Sequence, residues 1–368
     1  MELTSYFKDF LTDIRLTENQ RQDCITGHTT LRARLMGEEY LKEKDVIVTT
    51  FLQGSYARNT IVRPKSNETP DVDVVVVTRL SEAQFTPDNA MNVFVPFLDK
   101  YYKGKWRKQG RSIGISLSYV NLDMVITSAP TEAQIYQIQE AVRSSEMRAM
   151  ASSDDANTYF PGSVYQLVEA AHKVPGWAVF PLRIPDRDRG QWEDAHPLAQ
   201  AEWTVNKNAA CNGHYINVVK ALKWWRKDQH NGDKPKGYPL EHIIGYCCPD
   251  GIKSVPEGVT RALEAVNANW DKSITAVPFL QNHGTRSQNV LSRTSLEDFQ
   301  KFLGHTEDAG STSRHALGSD DKCESAQTWG ELFGSKFPQP EPEECEDKGN
   351  GGFTPRKSVS TVTGSRFA

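Results

Sequence analysis

The sequence lacks an apolar run long enough to cross a membrane and lacks a leader typical of secreted proteins. Its first residues, MELTSYFKDF, include acidic side chains and no extended hydrophobic stretch. The 6 cysteines contain no Cys-x-x-Cys pair, and their spacing is not typical of a disulfide framework. These absences predict a cytoplasmic protein that makes no membrane contact and keeps its cysteines reduced.

An excess of positive charge is also missing. The formal net charge is -4 over 368 residues, which argues against a surface that binds nucleic acid along its whole length but allows a local basic cleft. A chain of this length can form two packed lobes. After Pro338 the composition changes to PQPEPEECEDKGNGG, which has too few apolar residues to fold alone. We therefore predict a lobe in residues 1–131, a second lobe in residues 132–338 and a flexible tail in residues 339–368.

The spacing of apolar residues predicts an α/β (α+β) fold in which a sheet flanked by helices comes first. The second lobe is predicted to be mainly helical. The helices expected in the first lobe cover residues 3–14, then 17–44 after a Thr17–Gln20 capping box, and 86–102 with a kink at Pro96. The expected strands cover residues 46–52, 72–78, 113–119 and 121–127. In the second lobe, helices are expected around residues 215–225 and 240–248.

Two aspartates stand one residue apart at the start of the strand DVDVVVV. Because side chains alternate along a strand, Asp71 and Asp73 are expected to point to one face. Asp123 lies between apolar neighbours on a later predicted strand, where an unpaired charge would be costly. Three carboxylates form a set of hard oxygen ligands that suits Mg²⁺. We predict that they hold two Mg²⁺ ions, with Mn²⁺ as the alternative.

The turn before these aspartates has the composition of a phosphate-binding turn. In Gln53-Gly54-Ser55, the glycine lets the backbone approach a phosphate closely and the serine adds a hydroxyl donor. A lone Asp-x-Asp or a lone Gly-Ser is a weak signal, but the two together with Asp123 are specific. This combination indicates phosphoryl transfer to a hydroxyl. The nearby cations are Arg58, Arg63 and Lys65.

At these residues the sequence resembles the polymerase-β-like nucleotidyltransferases. It resembles more closely the family that includes cyclic GMP-AMP synthase, oligoadenylate synthase and the bacterial CD-NTases, over most of the chain up to about Pro338. The resemblance implies that Gln53, Gly54 and Ser55 bind the donor triphosphate. It also implies that the three aspartates hold the metal and that Asp123 helps to activate the acceptor hydroxyl.

Two further matches to this family lie in the second lobe. In VVKALKWWRK, Lys223 matches a helical lysine that reaches the triphosphate, and in KGYPLEHII, Tyr238 matches the aromatic residue that stacks on the donor base. Each match has a structural alternative. Lys223 could be an ordinary solvated residue on a helix, and Tyr238 could pack under the loop that precedes it.

A histidine and two adjacent cysteines invite comparison with the zinc site of animal cyclic GMP-AMP synthase. The spacing of His242, Cys247 and Cys248 differs from that site, and no fourth ligand follows before Cys323. A closed structural zinc site needs four ligands. We therefore predict that these side chains form a buried helix face, and the missing zinc module argues against activation by DNA.

The resemblance implies that the enzyme condenses ATP, with GTP as a second candidate substrate, into a cyclic oligonucleotide for antiphage defence. Pyrophosphate would be released and a downstream effector would read the product. The branch that makes cyclic trinucleotides is the most similar. Two alternatives are a synthase of linear oligonucleotides, or a transferase that adds nucleotides to RNA or protein, and a catalytically inert nucleotide-binding module.

The tail ends in VSTVTGSRFA, where Phe367 exposes an aromatic ring after the basic Arg366. An extended peptide of this kind suits capture in a partner's groove. Similar CD-NTases are joined through their last residue to other molecules by an E1/E2-like conjugating enzyme. The resemblance therefore implies that Ala368 is an attachment point.

Overall fold

The computed structural model describes residues 1–151, 181–230 and 233–345. The expected attachment residue, Ala368, and its neighbours Arg366 and Phe367 lie outside the described residues. Within the described ranges, no helix combines the length and the hydropathy that crossing a bilayer requires.

The first part of the chain builds a five-stranded sheet in the order β1-β2-β5-β4-β3. The strand β2 pairs in parallel with β5 and antiparallel with β1. The four predicted strands are confirmed, but β3 was not predicted, because three residues are too few to show an alternating pattern. The strands are β1 (Ile47–Gln53), β2 (Asp71–Thr78), β3 (Trp106–Lys108), β4 (Ile113–Ser116) and β5 (Asn121–Ile126).

Helices flank this sheet, and the expected capping box of Thr17 and Gln20 is present at the start of the second one. The helices are α1 (Thr4–Asp13), α2 (Glu18–Gly37), α3 (Glu39–Glu43), α4 (Gly54–Ala57), α5 (Pro87–Asn92), α6 (Val95–Tyr102) and α7 (Glu132–Ala151).

Two helices end earlier than the sequence pattern predicts. The helix expected to reach residue 44 ends at Gly37, because Glu38 takes an extended backbone conformation and its buried carboxylate binds Lys100 at 3.0 Å. The helix expected over residues 86–102 is two helices, α5 and α6, which are separated just before Pro96. A proline removes a backbone donor and clashes with the preceding turn, so the chain breaks there instead of bending.

The second part of the chain is mainly helical, as predicted, but it also contains a β-hairpin that was not predicted. The hairpin pairs β6 (Leu182–Asp186) with β7 (Gln191–Ala195). The helices are α8 (Pro197–Ala210), α9 (Tyr215–Gln229), α10 (Gly237–Cys247), α11 (Val255–Asn269), α12 (Leu296–Gly318), α13 (Lys322–Phe333) and α14 (Pro342–Cys345).

Three apolar clusters form the core of the described residues, and the smallest of them packs Ile135 of α7 against Val75 and Val77 of β2. Of the two larger clusters, one packs α2 and α6 against the sheet and includes Leu31 and Val74, and the other lies among the helices of the second part and includes Trp225. The helix α1 belongs by packing to the helical cluster, since the rings of Phe7 and Trp329 lie 4.9 Å apart. The N-terminal helix therefore ties the start of the chain to its last helices.

One disulfide bond corrects the expectation that all cysteines are reduced. Cys323 at the start of α13 is bonded to Cys345 at the end of α14, with their Cα atoms 5.6 Å apart. The other 4 cysteines are free and buried. The pair was missed because a separation of 22 residues matches no short motif, and only the return of the chain along α13 brings the two sulfur atoms together. The helix α14 lies within residues 339–368, so the first residues of the expected flexible tail are helical.

Candidate functional site

The three predicted carboxylates meet at one end of the sheet. Asp73 on β2 lies directly opposite Asp123 on β5, and Asp71 is two residues earlier on the same face of β2. Val72 and Val74 point to the other face and are fully buried. Asp71 is exposed, whereas Asp73 and Asp123 are half-buried. The parallel register of β2 and β5 therefore groups the acids that the sequence separates by 50 residues.

These carboxylates repel one another. Burial raises the pKa of Asp73, and the charges of Asp71 and Asp123 raise it further, while Arg58 and Lys223 lower it only in part. The pKa of Asp71 is also raised, because surrounding protein atoms displace water from its carboxylate although the residue as a whole is exposed, and the charge of Asp123 adds to the rise. An oxygen cluster that is short of positive charge fits a divalent cation, which would favour the ionised form of every carboxylate.

Gly54 is required by the position of Asp73. Gln53, at the end of β1, pairs with Asp73, so the turn that follows passes directly over the carboxylate. Gly54 has φ +72°, and a Cβ atom built on it would overlap Oδ2 of Asp73. Ser55 follows in the first turn of the short helix α4. The Gly-Ser pair thus brings backbone N–H groups and a hydroxyl next to the acids.

A glutamine that the sequence reasoning missed orients Asp123. The Nε2 group of Gln109 donates to Oδ1 of Asp123 at 3.0 Å, and the Ser112 hydroxyl donates to Oε1 of Gln109 at 3.1 Å. Burial raises the pKa of Asp123, and the contact from Gln109 partly offsets this rise. An isolated glutamine next to a short strand carries no motif, so no signal in the sequence would have identified it.

Glu241, which the sequence reasoning also missed, connects the two parts of the chain close to Asp73. Its carboxylate accepts from Arg58 at 2.8 Å, from Thr60 at 2.9 Å and from Lys223 at 2.8 Å. Burial alone would raise the pKa of Glu241, but Lys223 and Arg58 lower it to about 2. The available signal was an acidic residue inside the otherwise apolar helix GYPLEHIIGYC.

Lys223 is not a solvated helix residue, since only 11% of its side chain is exposed. Its ammonium group lies between Glu241, to which it donates, and Asp73, whose pKa it lowers. The preceding cation on the same helix, Lys220, is buried and donates to the side chain of Asn59 at 2.9 Å. The helix α9 therefore directs Lys220 towards the segment that follows Gly54 and Ser55, and it directs Lys223 towards Glu241.

Tyr238 combines an accessible face with firm support. It is 38% exposed, and its hydroxyl accepts from Gln200 at 2.6 Å. Behind it the ring of His242 lies 4.5 Å away, and the column continues through His283 to Trp203. A supported aromatic ring with one free face can stack against a planar base.

Two of the three predicted cations, Arg63 and Lys65, contact residues other than the three aspartates. Arg63 donates to the backbone oxygen of Arg15, and Lys65 pairs with Asp228 at 3.6 Å. Only Arg58 of the three lies close enough to lower the pKa of Asp73. It is 6% exposed and is held by Glu241.

The prediction that His242, Cys247 and Cys248 form a buried helix face is confirmed. They are 3%, 4% and 1% exposed. The Nδ1 atom of His242 is hydrogen-bonded to the backbone oxygen of Tyr238, one turn earlier. In the part of the chain that the structure describes, these three side chains do not form a group that could hold a metal ion.

Comparison with known sequences gives one family model and several relatives. Residues 1–142 match the Second Messenger Oligonucleotide or Dinucleotide Synthetase domain. A probable cyclic AMP-AMP-GMP nucleotide synthase from Salmonella paratyphi B is 43% identical over 100% of both chains. The cyclic AMP-AMP-GMP synthase of Enterobacter hormaechei is 41% identical, again over 100% of both chains.

Solved structures share the fold. Escherichia coli CdnC, in its complex with HORMA-deltaN, matches with a TM-score of 0.64 and 16% identity over 92% of this chain and 99% of that chain. Vibrio cholerae DncV cyclic AMP-GMP synthase, solved with the linear intermediate pppA(3′,5′)pG, has a TM-score of 0.55 and 13% identity. That match covers 79% of this chain and 70% of the DncV chain.

Proposed function

Because the chain belongs to the CD-NTase family of cyclic oligonucleotide synthases, we propose that it joins two AMP units and one GMP unit into cyclic AMP-AMP-GMP. The general reaction follows from the family: nucleoside triphosphates are condensed into a cyclic oligonucleotide and pyrophosphate is released. The choice of bases is our proposal, and it is supported by two full-length relatives that carry this product in their names.

The observation that carries the mechanism is the group formed by Asp71, Asp73 and Asp123. Three acids on one face, with raised pKa values and little neighbouring positive charge, suit two Mg²⁺ ions, or Mn²⁺ in their place. When bound, divalent cations favour ionisation of an attacking hydroxyl and neutralise charge on the leaving pyrophosphate. A binding module without turnover would have no use for this repulsion.

We assign the remaining roles to the residues around the acids. Gly54 and Ser55, preceded by Gln53, present donors to the triphosphate of the donor nucleotide. Lys223 supplies a positive charge beside Asp73. Tyr238 stacks on the donor base, and its hydrogen bond to Gln200 holds the ring in place.

Asp123 is assigned to the acceptor side of the reaction. It lies opposite Asp73 on the neighbouring strand, and Gln109 donates to one of its oxygens. The carboxylate of Asp123 can accept the proton of an incoming hydroxyl or bind a cation. We assign Gln109 as a positioning residue, because it donates to Asp123 and is itself held by the hydroxyl of Ser112.

The double substitution Asp71→Asn with Asp73→Asn tests this mechanism. Purified protein is incubated with labelled ATP, GTP and Mg²⁺, and the products are treated with phosphatase and identified by mass spectrometry. We expect a phosphatase-resistant cyclic trinucleotide from the wild type and a loss of at least about 100-fold in its formation by the variant.

Other outcomes separate the alternatives. A phosphatase-sensitive ladder would show a linear synthase, and labelled RNA or protein would show a transferase. Turnover at the wild-type rate by the double variant would rule out the carboxylate mechanism. Thermal unfolding without metal should show the variant to be at least as stable as the wild type, since amide groups relieve the repulsion.

For partners, we propose a downstream effector that binds the cyclic product and an E1/E2-like conjugating enzyme that acts on Ala368. The second proposal is supported by the terminal sequence SRFA, in which a small last residue follows a basic and an aromatic one. Of the structural neighbours, E. coli CdnC was solved with a protein partner, HORMA-deltaN.

A further inference from the structure

Two histidines and an aspartate form a compact group far along the chain from the acids of the sheet. His230 follows the end of α9, Asp233 lies between α9 and α10, and His305 lies in the first half of α12. One ligand atom of each side chain lies within 4.8 Å of the other two. Among the described residues this is the one group of three such side chains whose ligand atoms lie this close together, and the three aspartates of the sheet are more widely spaced.

The geometry points to a metal ion. The Nε2 atom of His305 lies 3.4 Å from Oδ2 of Asp233, yet it is buried and makes no hydrogen bond with any described residue. The imidazole rings of His230 and His305 are stacked with centroids 3.7 Å apart. Ligand atoms on a tetrahedral Zn²⁺ ion, each about 2.0 to 2.1 Å from the metal, lie a little over 3 Å apart. We propose that His230, Asp233 and His305 bind one divalent cation of the zinc type.

The neighbouring cations, Lys301 and Arg226, do not bind Oδ2 of Asp233. Lys301 donates to Oδ1 of Asp233 at 2.8 Å, so Oδ2 stays available on the side of His305. Arg226 donates to the backbone oxygen of Asp233 and not to its carboxylate.

Packing against a neighbouring aromatic ring holds the side chain of His230 in place. The ring of His230 packs edge-on against Trp225 of α9, with centroids 5.1 Å apart. All three ligands are only half-buried, which leaves room for a water molecule as fourth ligand. Two imidazoles and one carboxylate form a borderline set that prefers Zn²⁺ or a similar first-row ion to Mg²⁺.

The position of the site connects it with the proposed reaction. The helix α9 carries Lys223, and the helix that follows Asp233 carries Tyr238 near its start. A metal bound to His230, Asp233 and His305 would brace both helices against α12. The ion would be structural, because no part of the proposed chemistry takes place there.

Titration with Co²⁺ followed by Zn²⁺ tests the site on the full-length chain carrying Asp71→Asn and Asp73→Asn, in which the proposed catalytic metal site is disabled. We expect one Co²⁺ per chain with a visible ligand-field band, displaced by Zn²⁺. His305→Ala and His230→Ala should each weaken binding by at least about 10-fold, since changes even to outer-shell partners of metal ligands cost that much.

His315→Ala is the matched control, because His315 makes an exposed pair with Glu324 at 3.2 Å outside any such group. It should bind Co²⁺ like the parent. The melting temperature of the parent and of the control should rise with Zn²⁺, and that of His305→Ala should not. The proposal is overturned if the parent binds no Co²⁺, or if binding is undiminished in both His305→Ala and His230→Ala, with folding checked by circular dichroism.

Discussion

The residue type at position 54 is constrained by the side chain of Asp73, which lies next to it. The positive φ of Gly54 alone would allow asparagine or aspartate at a modest cost, but a Cβ atom here would lie 1.8 Å from Oδ2 of Asp73, so any other residue type would force the turn or this carboxylate to move. The glycine is therefore tied to the proposed metal ligand and not only to the shape of the turn.

Gly54→Ala should remove most of the synthetic activity, because the added methyl group displaces either the turn or the carboxylate of Asp73. Gly251→Ala is the matched control. Gly251 has nearly the same φ, +73°, but nothing lies within 4 Å of its added Cβ atom. Both variants should lose about 1 kcal/mol of stability through backbone strain. Equal activities in the two variants, measured as pyrophosphate release, would contradict this reading.

Tyr238 is the residue that we propose stacks on the base of the donor nucleotide. Tyr238→Ala should weaken binding of the donor nucleotide by about 1 to 3 kcal/mol, the usual contribution of a base stack. Tyr246→Ala on the same helix serves as the control, since Tyr246 is 61% exposed and stacks on Trp270. Nucleotide affinities measured by calorimetry that are the same for wild type and Tyr238→Ala would remove Tyr238 from the donor site.

At the scale of elements, the helix α10 and the segment after α4 are joined by buried charges. Arg58 and Glu241 are both almost fully buried, and Lys223 from α9 completes the group. Breaking such a group by removing one member leaves the others uncompensated. Glu241 thus positions Lys223 and Arg58 next to Asp73 and also holds two elements together.

Glu241→Gln should destabilise the protein by about 3 kcal/mol near neutral pH, because Arg58 and Lys223 would stay buried without a countercharge. Glu264→Gln is the control. Glu264 makes an exposed pair with Arg314 at 2.6 Å, and its loss should cost less than about 1 kcal/mol. Chemical denaturation measures both values.

The pH dependence of this effect has a definite sign. The pKa of Glu241 is about 2 in the folded protein and 4.5 when unperturbed. The folded state therefore favours the charged form, and its contribution to stability is complete above about pH 4.5 and is lost as the pH falls towards 2. The difference between wild type and Glu241→Gln should shrink over that window. A difference that grows on acidification would contradict the proposed ion group.

At the scale of the whole molecule, the first helix, α1, packs against α13, and the disulfide of Cys323 and Cys345 ties the start of the C-terminal segment to α13. The segment beyond residue 345 contains none of the proposed catalytic residues. Synthesis and attachment through the tail should therefore be separable.

Deleting the last ten residues, VSTVTGSRFA, should leave basal synthesis by the purified enzyme unchanged and eliminate covalent conjugates formed with an E1/E2-like enzyme. Phe353→Ala, a change in the same acidic and glycine-rich tail but away from the end, should have neither effect. Conjugates are followed by the shift of the chain on a denaturing gel. Adducts formed by the truncated chain, or a loss of its basal activity, would contradict a role of Ala368 in attachment.

The local pattern of the chain was sufficient to predict four of the five strands of the sheet and to propose its three acids. A run of valines predicts the strand of Asp71 and Asp73, and a charge among apolar neighbours points to Asp123. These signals are local, since burial and strand periodicity act on residues that are close in the sequence. The resemblance built on them led to the family that the full-length relatives establish.

Only the tertiary structure decided which distant side chains meet. The contact of Gln109 with Asp123, the group around Glu241 and the cluster of His230, Asp233 and His305 join residues on different elements. The disulfide of Cys323 and Cys345 has the same origin. Such contacts depend on how strands register and how helices return across the core. No periodicity in the sequence records that geometry, because it arises from packing among all the elements at once.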